Sequence, residues 1–155
     1  MIKMLNKQPL RLGEVYFSQP EMINQILQSA EQPYMIDYQM PKILPFATGW
    51  DNLLLPSKQV IPALKQLIKQ HLKQVRDRLG TELTVVDQFW IQLIRGLASQ
   101  HQLIVINHFL DELPPNDARQ LLKDVKQVAA KWQIVIIITT NQEAIFNNFR
   151  AQVLN

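Results

Sequence analysis

The chain has 155 residues, 47% of them hydrophobic and 19% charged, with a formal net charge of +3 and no cysteine. That is enough apolar sequence for one domain with a sizeable core, and the weak positive charge permits an acidic partner without requiring one. No apolar run reaches the eighteen or so residues of a membrane-spanning helix, the first seventeen residues lack the apolar centre of a secretory signal, and the missing cysteines exclude disulfides and thiol catalysis and fit a cytoplasmic protein.

Met1 to Leu5 reads as the tail of a helix, with Ile2, Met4 and Leu5 apolar and Lys3 and Lys7 near its carboxyl end. Gly13 introduces a short strand over Glu14, Val15, Tyr16 and Phe17. Ser18 and Glu21 flank Pro20 in a capping box, so a helix should run to about Ala30, with Met22, Ile23, Ile26 and Leu27 on one face. A second strand covers Tyr34 to Tyr38, and a loop with Pro41 and Pro45 follows. Thr48 caps a short helix to about Leu55, with Asp51 at its third position. Ser57 caps a long helix to Leu79, stopped by Gly80, whose apolar stripe is Ile61, Leu64, Ile68, Leu72, Val75 and Leu79.

Thr84 and Asp87 form another capping pair, opening a helix to about Ala98. The run Leu103-Ile104-Val105-Ile106 is too short for a helix and rich in β-branched residues, which predicts a strand buried on both faces. Asn107 and His108 stand at its carboxyl end, the edge where open α/β sheets bind ligands. Pro115 to Trp132 is a helix, Ile134 to Ile138 another buried strand, and Thr139-Thr140-Asn141 a polar tip before a short helix through Ile145 and Phe146. Ala151 to Leu154 reads as a last strand. The alternation of strands and helices is that of an α/β fold with a mostly parallel sheet flanked by helices.

Isolated signals are weak. His71, His101 and His108 lack metal-like spacing. Asp111-Glu112 are adjacent and read as a solvated loop, and Thr139-Thr140 has no Ser-His-Asp company. Lys58, Lys65, Lys69, Lys73, Arg76 and Arg78 make the 58–79 helix basic. It could meet nucleic acid or anionic lipid, but a solvated face is the default.

Five segments in order carry a resemblance. MIKMLNKQPLRLGEVYF resembles the segment after a phosphate loop, where a helix leads to a "GEV" strand. YMIDYQMPKILPFATGWDNLLLP resembles a Q-loop region, with Gln39 at the loop glutamine and Thr48, Asp51 and Asn52 following. LTVVDQFWIQLIRGLA resembles a signature segment, LIVINHFLDELPPNDARQLL a Walker B strand and D-loop, and IVIIITTNQEAI a switch strand. Together they resemble the later two-thirds of an ATP-binding-cassette (ABC) ATPase domain, the engine of ABC transporters. The resemblance implies a truncated core of the P-loop NTPase class, one domain over 1–155 with a helical subdomain at about 48–98.

At the chemical positions the chain departs from that family. It contains no G-x-x-x-x-G-K-[ST], the motif whose backbone amides and lysine hold the β- and γ-phosphates. The signature LSGGQ becomes Leu83-Thr84-Val85-Val86-Asp87. The resemblance places Asn107 at the magnesium-binding aspartate, His108 at the general base, Pro114 at the D-loop aspartate and Thr140 at the switch histidine. Gln39 alone is retained, as a vestigial nucleotide-site residue. Phe46, Trp50 and Leu53 fall where the family receives its membrane subunit.

These departures imply a non-catalytic subunit without ATP or magnesium. It would act as an interaction or regulatory module for a transporter's membrane subunit or an active ATPase partner, with a homodimer as a further option. The alternatives are an ATP-hydrolysing subunit completed by a separate chain that brings the phosphate loop, and a nucleic-acid-binding module using the basic helix. An incomplete core should also leave the remaining sheet with an exposed apolar edge, to be covered by a dimer contact, a swapped element or the chain's own N-terminal helix.

Overall fold

A computed structural model describes residues 3–5, 8–30, 32–55 and 61–155. In chain order the elements are β1 (Lys3–Leu5), β2 (Gln8–Leu10), β3 (Val15–Ser18), α1 (Ile23–Ser29), β4 (Tyr34–Asp37), α2 (Gly49–Leu53), α3 (Lys65–His71), α4 (Val85–Ala98), β5 (Leu103–Asn107), α5 (Phe109–Glu112), α6 (Pro115–Trp132), β6 (Val135–Thr139) and α7 (Glu143–Asn148). The chain divides into two compact units, one of Met1–Gln39 with Gln102–Asn155 and one of Met40–His101.

The first unit is built on a four-stranded sheet in the order β3-β6-β5-β4, with every neighbouring pair parallel. β5 and β6 are buried along their whole length, as strands covered on both faces must be, and that explains their unbroken Ile/Val runs. On one face Tyr16, Leu103, Val105, Val135 and Ile137 join Leu5, Leu10, Ile26 and Leu154 in a single core. Met22, Ile23, Leu27 and Ala30 of the first helical segment pack against it. α6 packs against β3 and β6 and buries Leu121, Val125, Val128 and Ala129.

Four expectations for this unit need correction. The expected N-terminal helix is instead an antiparallel pair, β1 with β2, while Met1, Ile2 and Lys7 lie outside the described residues. The Ser18–Glu21 capping box does not form: the Ser18 hydroxyl donates to the Gln19 carbonyl, and a 3-10 turn at Pro20–Met22 precedes α1. Ala151 to Leu154 contributes only a single bridge, Val153 to Phe17, beside a 3-10 turn at Arg150–Gln152. The N-terminal helix offered as a cover for the sheet's exposed edge is likewise not there: the edge strands are β3 and β4, and β1 pairs with β2 instead. The outer flank of β3 is partly occupied by the C-terminal segment, where the Leu154 N–H donates to the Phe17 carbonyl at 2.8 Å.

In the second unit Thr48 caps α2, accepting from the Asp51 N–H at 3.1 Å. α4 opens with the reciprocal Thr84–Asp87 box, each side chain bonded to the other's backbone N–H. Asn52 is fully buried, and its amide holds the preceding loop. Oδ1 accepts from the Leu44 N–H at 2.7 Å, while Nδ2 donates to the carbonyls of Leu44, Ala47 and Thr48.

The long helix expected over 57–79 is not one helix. Ser57 and Lys58 lie outside the described residues; α3 covers seven residues, and turns follow it. The apolar spacing at Leu72 and Val75 is real, since both are buried. Tertiary pairing overrides helix continuation after them, because the carbonyls of Arg76 and Arg78 accept from the N–H groups of Trp50 and Gly49 at 3.0 and 2.7 Å. Gly80 is therefore a close-approach glycine, not a helix stop. A Cβ there would lie 2.2 Å from the Leu44 carbonyl oxygen. Gly80→Ala should destabilise the protein by about 1–3 kcal/mol, as overpacking against unyielding backbone does. Urea unfolding is the check, and Gly96→Ala within α4 supplies a helical glycine for comparison.

Candidate functional site

Because the four strands are parallel and in register, their last residues form one row: Ser18 beside Thr139, Thr139 beside Asn107, and Asn107 beside Asp37. Strand alternation puts this row on the face that carries Tyr16, Val105 and Ile137. It is also the carboxyl edge of a parallel sheet, the place where such sheets bind ligands.

The row is joined by its own hydrogen bonds. Asn107 Nδ2 donates to Asp37 Oδ2 at 3.3 Å, and the Thr139 hydroxyl donates to Asn107 Oδ1. The His108 N–H donates to Thr139 Oγ1 at 3.4 Å. Asp37 Oδ1 accepts from the Gln39 N–H at 2.8 Å. Ser18, Asn107 and Thr139 are buried. His108 takes a left-handed conformation, φ 65°, as the chain turns from β5 into α5.

Beside the row, Thr140 is fully buried and its N–H donates to the Ser18 carbonyl at 3.0 Å. Its hydroxyl donates to Asp111 Oδ1 and accepts from the Gln142 N–H at 3.2 Å. Asp111 Oδ2 accepts from the Asn141 N–H at 3.0 Å. Asp111 is thus a structural acceptor tying α5 to the tip after β6, which corrects its reading as a solvated loop residue; Glu112 is exposed.

Among the sequence-predicted residues, Asn107, His108 and Thr140 come together at adjacent strand ends, and Gln39 joins them through its backbone, with its side chain exposed. Asp37 has no local signal of its own, Thr139 reads only as part of a polar tip, and Asp111 reads only as a solvated loop residue. The signal for the first two was register: parallel strands of known length bring their last residues side by side. Phe46, Trp50 and Leu53 belong to the other unit. There Phe46 is 76% exposed, Trp50 is half-buried under the Arg76 guanidinium at 4.5 Å, and Leu53 is buried, so Leu53 does not face outward.

The donors at the row do not match a phosphate-bound magnesium ion. A hard dication takes about six oxygens, carboxylates foremost. Both oxygens of Asp37 already accept N–H groups, and no group of three or more His, Asp or Glu side chains suited to a metal exists among the described residues. The connection from β3 to α1 has the strand–turn–helix order that a phosphate loop uses. Here the turn is Gln19 followed by the 3-10 segment from Pro20, and proline offers no N–H. A cavity of about 650 Å³ lies near that turn, lined by Gln19, Met22, Phe146 and Arg150 among others, and none of the sequence-predicted residues borders it.

Asn107→Asp tests the row. The variant carboxylate would keep the Thr139 bond but face Asp37 Oδ2, replacing a donor with a like charge. We expect a loss of about 2 kcal/mol at neutral pH. The loss should shrink toward pH 5, where the paired carboxylates can share a proton. Chemical denaturation at the two pH values measures it.

No protein-family model matches the sequence, and no curated protein does. Solved structures match through the fold. One is a chain of a metal-chelate-type ABC transporter in an inward-facing conformation, with TM-score 0.65 and 14% identity, covering 87% of this chain and 65% of that one. Another is CbiO1 from Clostridium perfringens, part of the ABC transporter complex CbiONQ, with TM-score 0.66 and 12% identity, covering 87% of this chain and 70% of that one. Parallel sheet, flanking helices and separate helical unit therefore give this chain the fold of an ABC-transporter ATP-binding subunit.

Proposed function

We propose that this chain is a non-catalytic counterpart of an ABC-transporter ATP-binding subunit. It serves as an interaction or regulatory module for a transporter's membrane subunit or for an active ATPase partner. The observation that carries this reading is the self-satisfied row at the strand ends. Asp37, Asn107, Thr139 and the His108 N–H bond one another, so an incoming phosphate–metal group would have to displace buried and half-buried hydrogen bonds.

Two further features agree. The chain has no phosphate-loop motif. The N-terminus of α4, a place where helix amides attract anions, is capped by its own Asp87 carboxylate, a like charge toward phosphate. His108 in place of a carboxylate base removes the group whose loss costs about 10²–10⁴-fold in rate. Supplying a phosphate loop from a second chain would leave Asn107 and His108 unchanged, so the completed-ATPase reading gains nothing from this geometry.

On the partner side, Phe46 and the half-buried Trp50 are the contact, and Leu53, buried in the same short helix as Trp50, adds no exposed surface to it. Isothermal titration of the protein with Mg-ATP should show no saturable heat. A low-micromolar dissociation constant would overturn the assignment. Co-purification with a polytopic membrane protein encoded by a neighbouring gene is the expected positive result, and it should be lost in Phe46→Asp.

A further inference from the structure

The charge of this chain is unevenly placed. Residues 40–101 hold eight Lys and Arg against four Asp and Glu, whereas the remainder holds eight against nine. Within 65–78 the basic residues are Lys65, Lys69, Lys73, Arg76 and Arg78, all exposed, with Asp77 the one acid among them. The end of this stretch and the residues just after it are bonded to the start of α2 and to the loop before it. Trp50 and Gly49 donate to the carbonyls of Arg76 and Arg78, Gly80 donates to that of Ala47, and Thr81 donates to that of Pro45. The same two segments carry three of the exposed large apolar side chains: Phe46 at 76%, Leu79 at 43% and Leu44 at 39%.

Exposed aromatic and aliphatic side chains bracketed by exposed cations suit one kind of surface. An anionic bilayer offers both headgroup charge and an apolar interior just beneath it, and stable peripheral binding takes two such signals together. A nucleic-acid backbone would use the cations but leave Leu44 and Leu79 in water. It would also want open rings for stacking, whereas the Trp50 ring is covered by Arg76. No described helix is long and apolar enough to cross a membrane, so the contact is interfacial.

We propose that the face formed by 44–50 and 73–81 binds the headgroup layer of an anionic lipid bilayer. Phe46, Leu44 and Leu79 enter the interface, while Lys73, Arg76 and Arg78 meet acidic headgroups. This goes beyond the docking reading: it is in the free chain, before any transporter subunit is met, that this face lies on the bilayer.

Co-sedimentation of the full chain with protein-free vesicles tests it. Vesicles of phosphatidylcholine mixed with phosphatidylglycerol should bind the protein, and vesicles of phosphatidylcholine alone should bind it at least about tenfold more weakly. High salt should release it. Lys73→Gln and Arg78→Gln should each lower partitioning roughly fivefold, and Phe46→Ser roughly tenfold. Leu79→Ser serves as a second apolar variant. Lys123→Gln, an exposed cation of the other unit, should change nothing. Equal binding to neutral vesicles, no binding to acidic ones, or equal sensitivity to Lys123→Gln would overturn the proposal. So would tighter binding of a single-stranded oligonucleotide that survives Phe46→Ser, which would reassign the face to nucleic acid.

Discussion

The in-register parallel pairing of β3, β6, β5 and β4 is the constraint from which the rest follows. Register aligns the apolar positions into a core on each face, and the same alignment delivers four polar residues to one edge. Polar groups buried there must find partners, because an unsatisfied donor or acceptor costs roughly 1–3 kcal/mol. Ser18, Thr139, Asn107 and Asp37 find them in each other, in Gln19 and in nearby amides. The edge that would ordinarily wait for a ligand is already stitched together.

The second unit depends on a different device, the buried side chain of Asn52. One amide supplies bonds to three backbone residues of the 44–48 loop, so that loop is held without secondary structure of its own. The 76–81 segment then bonds to it backbone to backbone. His71 and Trp90 stack at 3.5 Å, and Trp90 meets Phe89 edge-on, which brings α3 onto α4 through aromatic faces.

How much of this was legible in the sequence depended on whether a signal was local. The strands β5 and β6 were plain in their Ile/Val runs, α6 in its proline start, and the caps at Thr48 and Thr84 in their Ser/Thr–acid spacing. Where the reading failed, distant backbone decided the outcome. Leu72, Val75 and Leu79 keep a helical spacing, yet Gly49 and Trp50 claim the carbonyls of Arg78 and Arg76 from far along the chain. Lys3, Met4 and Leu5 carry no strand signature and become one because Gln8 to Leu10 lies opposite. The site divided in the same way. Asn107, His108 and Thr140 could be found from a strand's end, but Asp37 and Asp111 acquire their roles only when the sheet and α5 bring them to their partners.

His108 has one more implication. Its backbone sits at φ 65°, a conformation in which histidine is several-fold enriched over most side chains and which costs an ordinary L-residue about 1–2 kcal/mol. A glutamate placed here would inherit the same bend, as glutamine does at Gln32, Gln100 and Gln133. The bend thus screens position 108 by shape before chemistry: an unbranched side chain can stand there, whereas a β-branched one would have to unbend the entry to α5 first.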